Sequence, residues 1–342
     1  MKAMVIRSHG GPEVLEPATL PDPEPGKGEL LVRVRACALN HLDLWIRGGL
    51  PGRGVAFPHV LGSDIAGEIG ALGPGAFGFS PGQRVMLQPG TSCGRCAACL
   101  SGEDSSCRDY RLLGYQIHGG YAEFVRCPAA NAIALPDGFS FEEAAAFPLV
   151  FLTAWRMLVT RAALRTGEDV LVWAAGSGVG MAAVQVAKLF GARVIATAGS
   201  AAKLEKARAL GADHLIDHRT QDVVAEVKAL TKKKGVDVVI EHVGEATWEK
   251  SILALAHRGR LVTCGATSGP NGRTELRHLF SKQLTLMGSY MGSKAELLLV
   301  ASHFFARRVR TVVHQVLPLA EARRAHEMME ASEHFGKIVL AV

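Results

Sequence analysis

The sequence predicts an α/β protein in two parts, one β-rich and one a doubly wound parallel sheet. Two observations carry this. Up to about residue 135 the chain consists of short alternating apolar runs separated by Gly and Pro. From Asp169 onward, apolar strands alternate with amphipathic helices, the pattern of repeated βα units. The length of 342 residues suits two domains at roughly 150 residues each.

Met1–Arg7 and Leu30–Ala36 alternate like strands, with the turn-rich PDPEPGKGE between them. VLGSDIAGEIGALG, PGQRVML and YAEFVRCP continue as short strands with Gly turns, predicting a compact barrel or sandwich. FEEAAAFPLVFLTAWRMLV reads as helix, with Pro148 breaking or kinking it. The strands DVLVWAAG, ARVIATAG, DHLID, VDVVIEHVG, GRLVTCGA and LTLMGSYMG follow, separated by helical segments. A long helix, KAELLLVASHFFARR, and a strand-like end, KIVLAV, close the chain. The expected division is residues 1–150, completed by 289–342, against 151–288.

Composition excludes several classes. The net charge is +6, the longest basic run is Lys232-Lys233-Lys234, and aromatics are 6%. A nucleic-acid interface wants a basic stripe with stacking aromatics, so none is expected. The longest apolar run, Ala144 to Trp155, is broken by Pro148. A spanning helix needs about 20 residues, so no membrane segment is expected. The N-terminus MKAMVIRSHG has no apolar secretion core, which leaves a cytoplasmic location as the expectation.

Seven cysteines include four in the spacing Cys93-x2-Cys96-x2-Cys99-x7-Cys107. Four thiolates that close can converge on one tetrahedral Zn²⁺, and a shell of four sulfurs leaves no open position, so the role is structural. Two local disulfides or an iron–sulfur cluster are the alternatives, although no proline follows the fourth Cys. Cys37, Cys127 and Cys264 are expected simply to pack.

The strand VLVWAA runs into a glycine turn, Gly176, Ser177, Gly178, Val179 and Gly180, and then a helix. Backbone N–H groups and a helix N-terminus in such a turn suit a diphosphate. In the G-x-G-x-x-G register ending at Gly180, the first two positions are Ala175 and Ser177. An NAD site wants an acid at the end of the following strand. Here stand Ala198, Gly199 and Ser200, then Lys203. Ser200 and Lys203, with His218 and Arg219 after the third strand, instead suit a 2′-phosphate. The expected cofactor is NADPH, with NADH the alternative.

With these motifs the chain resembles the medium-chain dehydrogenase/reductase superfamily. The resemblance covers nearly the whole chain, including the cysteine lobe, GGYAEFV, LVTCGATSG and the ending FGKIVL. It implies a GroES-like catalytic domain plus a Rossmann domain, with Val243, Gly265 and Ala266 at cofactor-binding positions. Zinc alcohol dehydrogenases of this superfamily place catalytic ligands at three motif positions, which here hold Asn40, Ser63 and Leu149. None is a normal zinc ligand type. Asp43 and Asp64 match acidic positions that support that site.

The Asn-x-x-Asp signature and AAAFPLVFLTAWRML look like the quinone oxidoreductase and enoyl reductase branch. This likeness implies hydride transfer from the cofactor to a quinone or an activated alkene without catalytic zinc. Asn40 and Thr153 match polar positions near the nicotinamide, and His41 matches a position for phosphate binding or proton supply. Tyrosines carried downstream by some members of the branch are replaced, with Trp45 and Pro51 in that neighbourhood. A zinc alcohol dehydrogenase and a non-catalytic NADPH-binding sensor are the alternative functions. The partners implied are a small-molecule substrate and a second copy of the chain, in a homodimer or homotetramer paired through the edge strand LTLMGSY.

Overall fold

The computed structural model describes residues 1–50, 52 and 54–342, so Pro51 lies outside the described residues. Met1–Leu149, Ser293–Phe305 and Arg310–Val342 form one compact unit. Val150–Gly292 and Ala306–Val309 form the second.

The first unit is built around the strand Glu29–Ala38. Its alternation is physical: Leu30, Val32 and Val34 are buried while Arg33 and Arg35 point to solvent. It pairs antiparallel with Asp64–Leu72, with Phe124–Pro128 and with the last strand, Lys337–Ala341. In that last pairing Leu340 stands opposite Cys37 and Val339 opposite Ala38. The approach to Asp64–Leu72 is close enough that a Cβ on Gly67 would sit 2.1 Å from the Arg33 carbonyl oxygen. Arg84–Leu87, Ala132–Ala134 and Val313–Pro318 complete a seven-stranded sheet.

Ser140 caps the helix Phe141–Ala145: its Oγ accepts from Glu143 N, and its own N–H donates to the Glu143 carboxylate, both at 3.1 Å. Pro148 opens the next helix, Pro148–Trp155, where a missing N–H costs little. The helical stretch continues through a π turn, Arg156–Arg161. One expectation is corrected here. Phe141–Arg161 as a whole is 21 residues long and apolar enough to cross a membrane. Of its most apolar 18-residue window, 78% is buried inside the protein, which accounts for its composition as that of a core helix.

The second unit holds six parallel strands: β1 (Asp169–Val172), β2 (Arg193–Ala198), β3 (His214–Asp217), β4 (Val236–Glu241), β5 (Leu255–Thr263) and β6 (Thr285–Gly288). Their order is β3-β2-β1-β4-β5-β6, a doubly wound sheet with its switch point between β1 and β4. β1 is buried along its whole length, as a central parallel strand covered on both faces must be. Leu171, Ile195, Ile216, Val239 and Leu261 lie in one core cluster under the helices. β5 begins four residues earlier than GRLVTCGA suggests, and β6 lies at the sheet edge.

Candidate active site

The thiols of Cys93, Cys96, Cys99 and Cys107 come together, with all four Sγ atoms within 4.8 Å of one another. The Cys93–Cys99 and Cys96–Cys99 separations are 3.9 and 3.5 Å. Four sulfurs at about 2.3 Å from one tetrahedral ion lie about 3.8 Å apart, so the set fits zinc. Backbone N–H groups of Arg95 and Cys96 pull the Cys93 thiol down to about 6, towards the thiolate a metal needs. Among the described residues this is the one group of His, Cys, Asp and Glu side chains placed to hold a metal.

In the second unit the glycine turn follows β1. Ser177 caps the helix Gly178–Leu189, its Oγ accepting from Gly180 N at 2.9 Å. A Cβ on Gly180 would meet the Ala174 carbonyl oxygen at 2.4 Å, so glycine is required where helix and strand approach. Gly176 and Val179 complete the segment that leads N–H groups toward the helix N-terminus. Thr197, which the motif does not flag, ties the turn to its surroundings. Its Oγ1 accepts from Ala174 N at 3.1 Å and lies 3.3 Å from His218 Nδ1.

At the end of β2, Ser200 caps the helix Ala201–Ala209 by accepting from Lys203 N at 3.4 Å. The space above Gly199 is closed by two side chains: a Cβ there would lie 2.8 Å from Arg219 Nε and 3.1 Å from His218 Nε2. Burial lowers the His218 pKa, and the nearby cations Arg219, Lys250 and Lys203 act in the same direction. The residues after β2 are Gly199 and Ser200, neither of them an acid.

Beyond β5 and β6 lies a pocket of about 600 Å³ lined by residues that include Gly265, Ala266, Cys264 and Gly288. Cys264 is therefore a pocket residue, which corrects the expectation that it merely packs. Burial pushes its thiol up to about 12, so it stays neutral. Val243 sits just before this rim, its carbonyl held by Ser268 N and Oγ, both at 2.7 Å. Sequence reasoning missed what fixes this loop. Buried Glu241, at the end of β4, accepts from Val243 N, Gly244 N, Thr247 Oγ1 and Ser251 Oγ at 2.6–3.1 Å. A carboxylate closing the apolar run VDVVIE was the available signal.

In the first unit Asn40 stands at the start of the helix His41–Gly48 because its backbone N–H donates to Asp43 Oδ2 at 2.8 Å. His41 is half-buried, its ring 6.4 Å from that of Trp45. Asp43 is fully buried, and its Oδ1 accepts from Gly62 N at 3.0 Å. Burial drives the Asp43 carboxyl up to about 7 against those two N–H groups. The Ser63 hydroxyl is committed to the Leu113 carbonyl at 2.7 Å. Leu149 contributes its N–H to Asp64 Oδ1 at 2.8 Å. Thr153 is buried on the helix Pro148–Trp155 and belongs to the second unit.

Lys337 joins the Asn40–Asp64 pair. Its Nζ donates to Leu39 O and Asn40 Oδ1, both at 2.6 Å, and to Asp64 Oδ2 at 3.0 Å. Asn40 Nδ2 also donates to Asp64 Oδ2, at 3.0 Å. The first-unit residues at the three catalytic-ligand positions thus do not fit a zinc ion. Asn40 offers its oxygen to an ammonium, Ser63 is bonded elsewhere, and Leu149 presents only a backbone N–H.

Comparisons with known proteins agree over the full length. A profile described as alcohol dehydrogenase GroES-like domain matches residues 26–137, and one described as zinc-binding dehydrogenase matches 178–306. The chain is 35% identical to a quinone oxidoreductase of Pseudomonas aeruginosa, over 99% of both chains. It is 34% identical to an acryloyl-coenzyme A reductase of Metallosphaera sedula, again over 99% of both. A crystal structure described as an NAD-dependent alcohol dehydrogenase matches with a TM-score of 0.97 at 51% identity, covering 100% of each chain. A mycobacterial protein complexed with NADPH matches with a TM-score of 0.84 at 31% identity, also covering 100% of each.

Proposed function

The chain belongs to the medium-chain dehydrogenase/reductase superfamily of oxidoreductases acting on small molecules, and from that premise we propose that it is an NADPH-dependent reductase of quinones or α,β-unsaturated carbonyls working without catalytic zinc. The observation that carries the proposal is the cluster around Asn40, one of the catalytic-ligand positions, where Lys337 is bound to Asn40 and to the adjacent supporting acid Asp64. The named activities of two relatives, quinone reduction and acryloyl-coenzyme A reduction, support it.

The family and the NADPH complex of a structural match indicate a nicotinamide cofactor. Gly176, Ser177, Gly178, Val179 and Gly180 would hold its diphosphate, and Val243, Gly265 and Ala266 its nicotinamide half. Arg219, Lys203, Ser200 and His218 would take the 2′-phosphate, which favours NADPH. Bound there, the cofactor would supply a hydride to the β-carbon of an activated alkene or to a quinone. Negative charge then develops on the distant oxygen. The Asn40 amide N–H and the Thr153 hydroxyl are the donors proposed for that oxygen, with His41 or solvent delivering the proton. Asp43 holds the Asn40 backbone in place. Cys93, Cys96, Cys99 and Cys107 would hold one structural zinc. The edge strand β6 is the proposed seam of a homodimer or homotetramer, in the cytoplasm.

One observation favours a second function, alcohol–aldehyde interconversion: the 51%-identical structure described as an NAD-dependent alcohol dehydrogenase. A metal count combined with NADPH and NADH oxidation against one quinone, one enone and one aldehyde decides between them. We expect one zinc per chain and turnover of the quinone or enone. Two zincs, with aldehyde turnover lost on mild chelation, would establish the alcohol dehydrogenase instead. Tight NADPH binding with no turnover of any acceptor would identify a sensor.

A further inference from the structure

Three parts of the chain distant in sequence meet at one buried ammonium: Leu39–Asn40, Asp64 and Lys337 itself. Lys337 is 2% exposed and opens the last strand. A lysine ammonium carries three hydrogens. Here they have three acceptors: Leu39 O, Asn40 Oδ1 and Asp64 Oδ2. Asp64 is itself fully buried, and its other oxygen is taken by Leu149 N.

The arrangement fixes which way the Asn40 amide faces. Its oxygen meets a cation, and one of its N–H groups meets a carboxylate. Turned by half a revolution, the amide would set its NH₂ against the ammonium and its oxygen against Asp64. Both contacts would be repulsive at these distances. Asn40 Nδ2 has two hydrogens, and Asp64 takes one. The other becomes a donor of fixed direction. It is also a strengthened donor, because an ammonium on the amide oxygen draws charge from the amide nitrogen.

We propose that Lys337 is a positioning residue of the reductase site. Through its bond to Asn40 Oδ1 it fixes and polarises the Asn40 amide, so that the remaining N–H donates to the substrate oxygen on which charge develops. The inference rests on the function proposed above. Lys337 does not touch the substrate, because its three hydrogens are already engaged.

The test uses the zinc-loaded full chain. Lys337→Met removes the ammonium with little change of shape, and Asp64→Asn/Lys337→Met also removes the carboxylate, keeping the protein assayable if the first variant fails to fold. Steady-state rates with the quinone and the enone are measured beside the NADPH dissociation constant. We expect kcat to fall about 10- to 100-fold, with NADPH affinity within about twofold of wild type. Asn40→Ala/Lys337→Met should be no slower than Asn40→Ala alone, because both changes remove one donor. A substituted phenolate, bound with oxidised cofactor as a mimic of the charged oxygen, should lose affinity in the lysine variant while its neutral methyl ether does not. A folded lysine variant with wild-type kcat, or losses that multiply with Asn40→Ala, would overturn the inference. Failure of the wild type to reduce either acceptor would overturn the proposed function itself, a separate outcome.

Discussion

The four-cysteine lobe and the Lys337 cluster both gather donors suited to a positive charge, and they do it by opposite routes. In the lobe, the donors come from one short loop, and the ion they suit has to arrive from outside. In the Lys337 cluster, the donors come from residues 39, 40 and 64, and the cation is part of the chain. If the lobe holds the proposed zinc, its stability should depend on metal supply. The lysine cluster carries its own charge, so its order is set once the last strand pairs with Glu29–Ala38. The contrast teaches that one unit can gather acceptor groups for a cation either from a single loop or from segments far apart in sequence.

The comparison can be broken at either end. The largest effect is expected at the lobe. Cys93→Ser should take zinc content from one per chain toward zero and lower stability by several kcal/mol, measured by metal analysis and thermal denaturation. If only turnover fell, the lobe would not be structural. At the other end, Lys337→Met should cost about 3–5 kcal/mol, because Asp64 is left as an unpaired buried charge. The Asp64→Asn/Lys337→Met chain should recover much of that loss in urea titrations, and zinc content should not change in either variant. A fall in zinc on removing Lys337 would mean that the two regions are not independent.

Acid should act on the first unit through its histidines. Burial depresses His59 to about 4 and His326 to about 3. Both are neutral in the folded chain, and the unfolded chain binds their protons near pH 6.5. The stability they confer is complete above that value and is lost as pH falls towards 4 and then 3. They contribute on the order of 3 kcal/mol for His59 and 5 kcal/mol for His326. Asp43, raised to about 7, runs the other way: its contribution is present at low pH and is lost as pH rises through 7. Denaturant midpoints between pH 8 and pH 4 check the histidine effect, and His326→Gln should flatten the profile. Glutamine can still accept from Arg47.

The smallest effect is on cofactor choice. Lys203→Ala and Arg219→Ala should each weaken NADPH by about tenfold, one charge-assisted contact to the 2′-phosphate, and leave NADH within about twofold. Equal losses for both cofactors in fluorescence titrations would remove the 2′-phosphate assignment.

Much of the site was legible in the sequence wherever the signal was local. The cysteine spacing and the strand–turn–helix around Gly180 each lie within a few turns of chain, so the backbone alone brings their groups together. The absence of an acid after β2 is likewise read directly from the residues. Thr197, Glu241 and the pocket position of Cys264 were not legible, because each depends on which loop lies across the sheet end.

The sequence by itself determined the fold class, placed a glycine turn between strand and helix and four closely spaced thiols, and put Asn, Ser and Leu, none a normal zinc ligand, at positions 40, 63 and 149. Only the tertiary structure decided what stands in their place. In the sequence, Lys337 is simply the lysine of FGKIVL at the start of an apolar strand. Pairing of that strand beside Glu29–Ala38 encloses the ammonium among Leu39, Asn40 and Asp64. The reason is physical: a buried charge is tolerable only where partners are already fixed around it, and these partners come from segments that no local pattern connects.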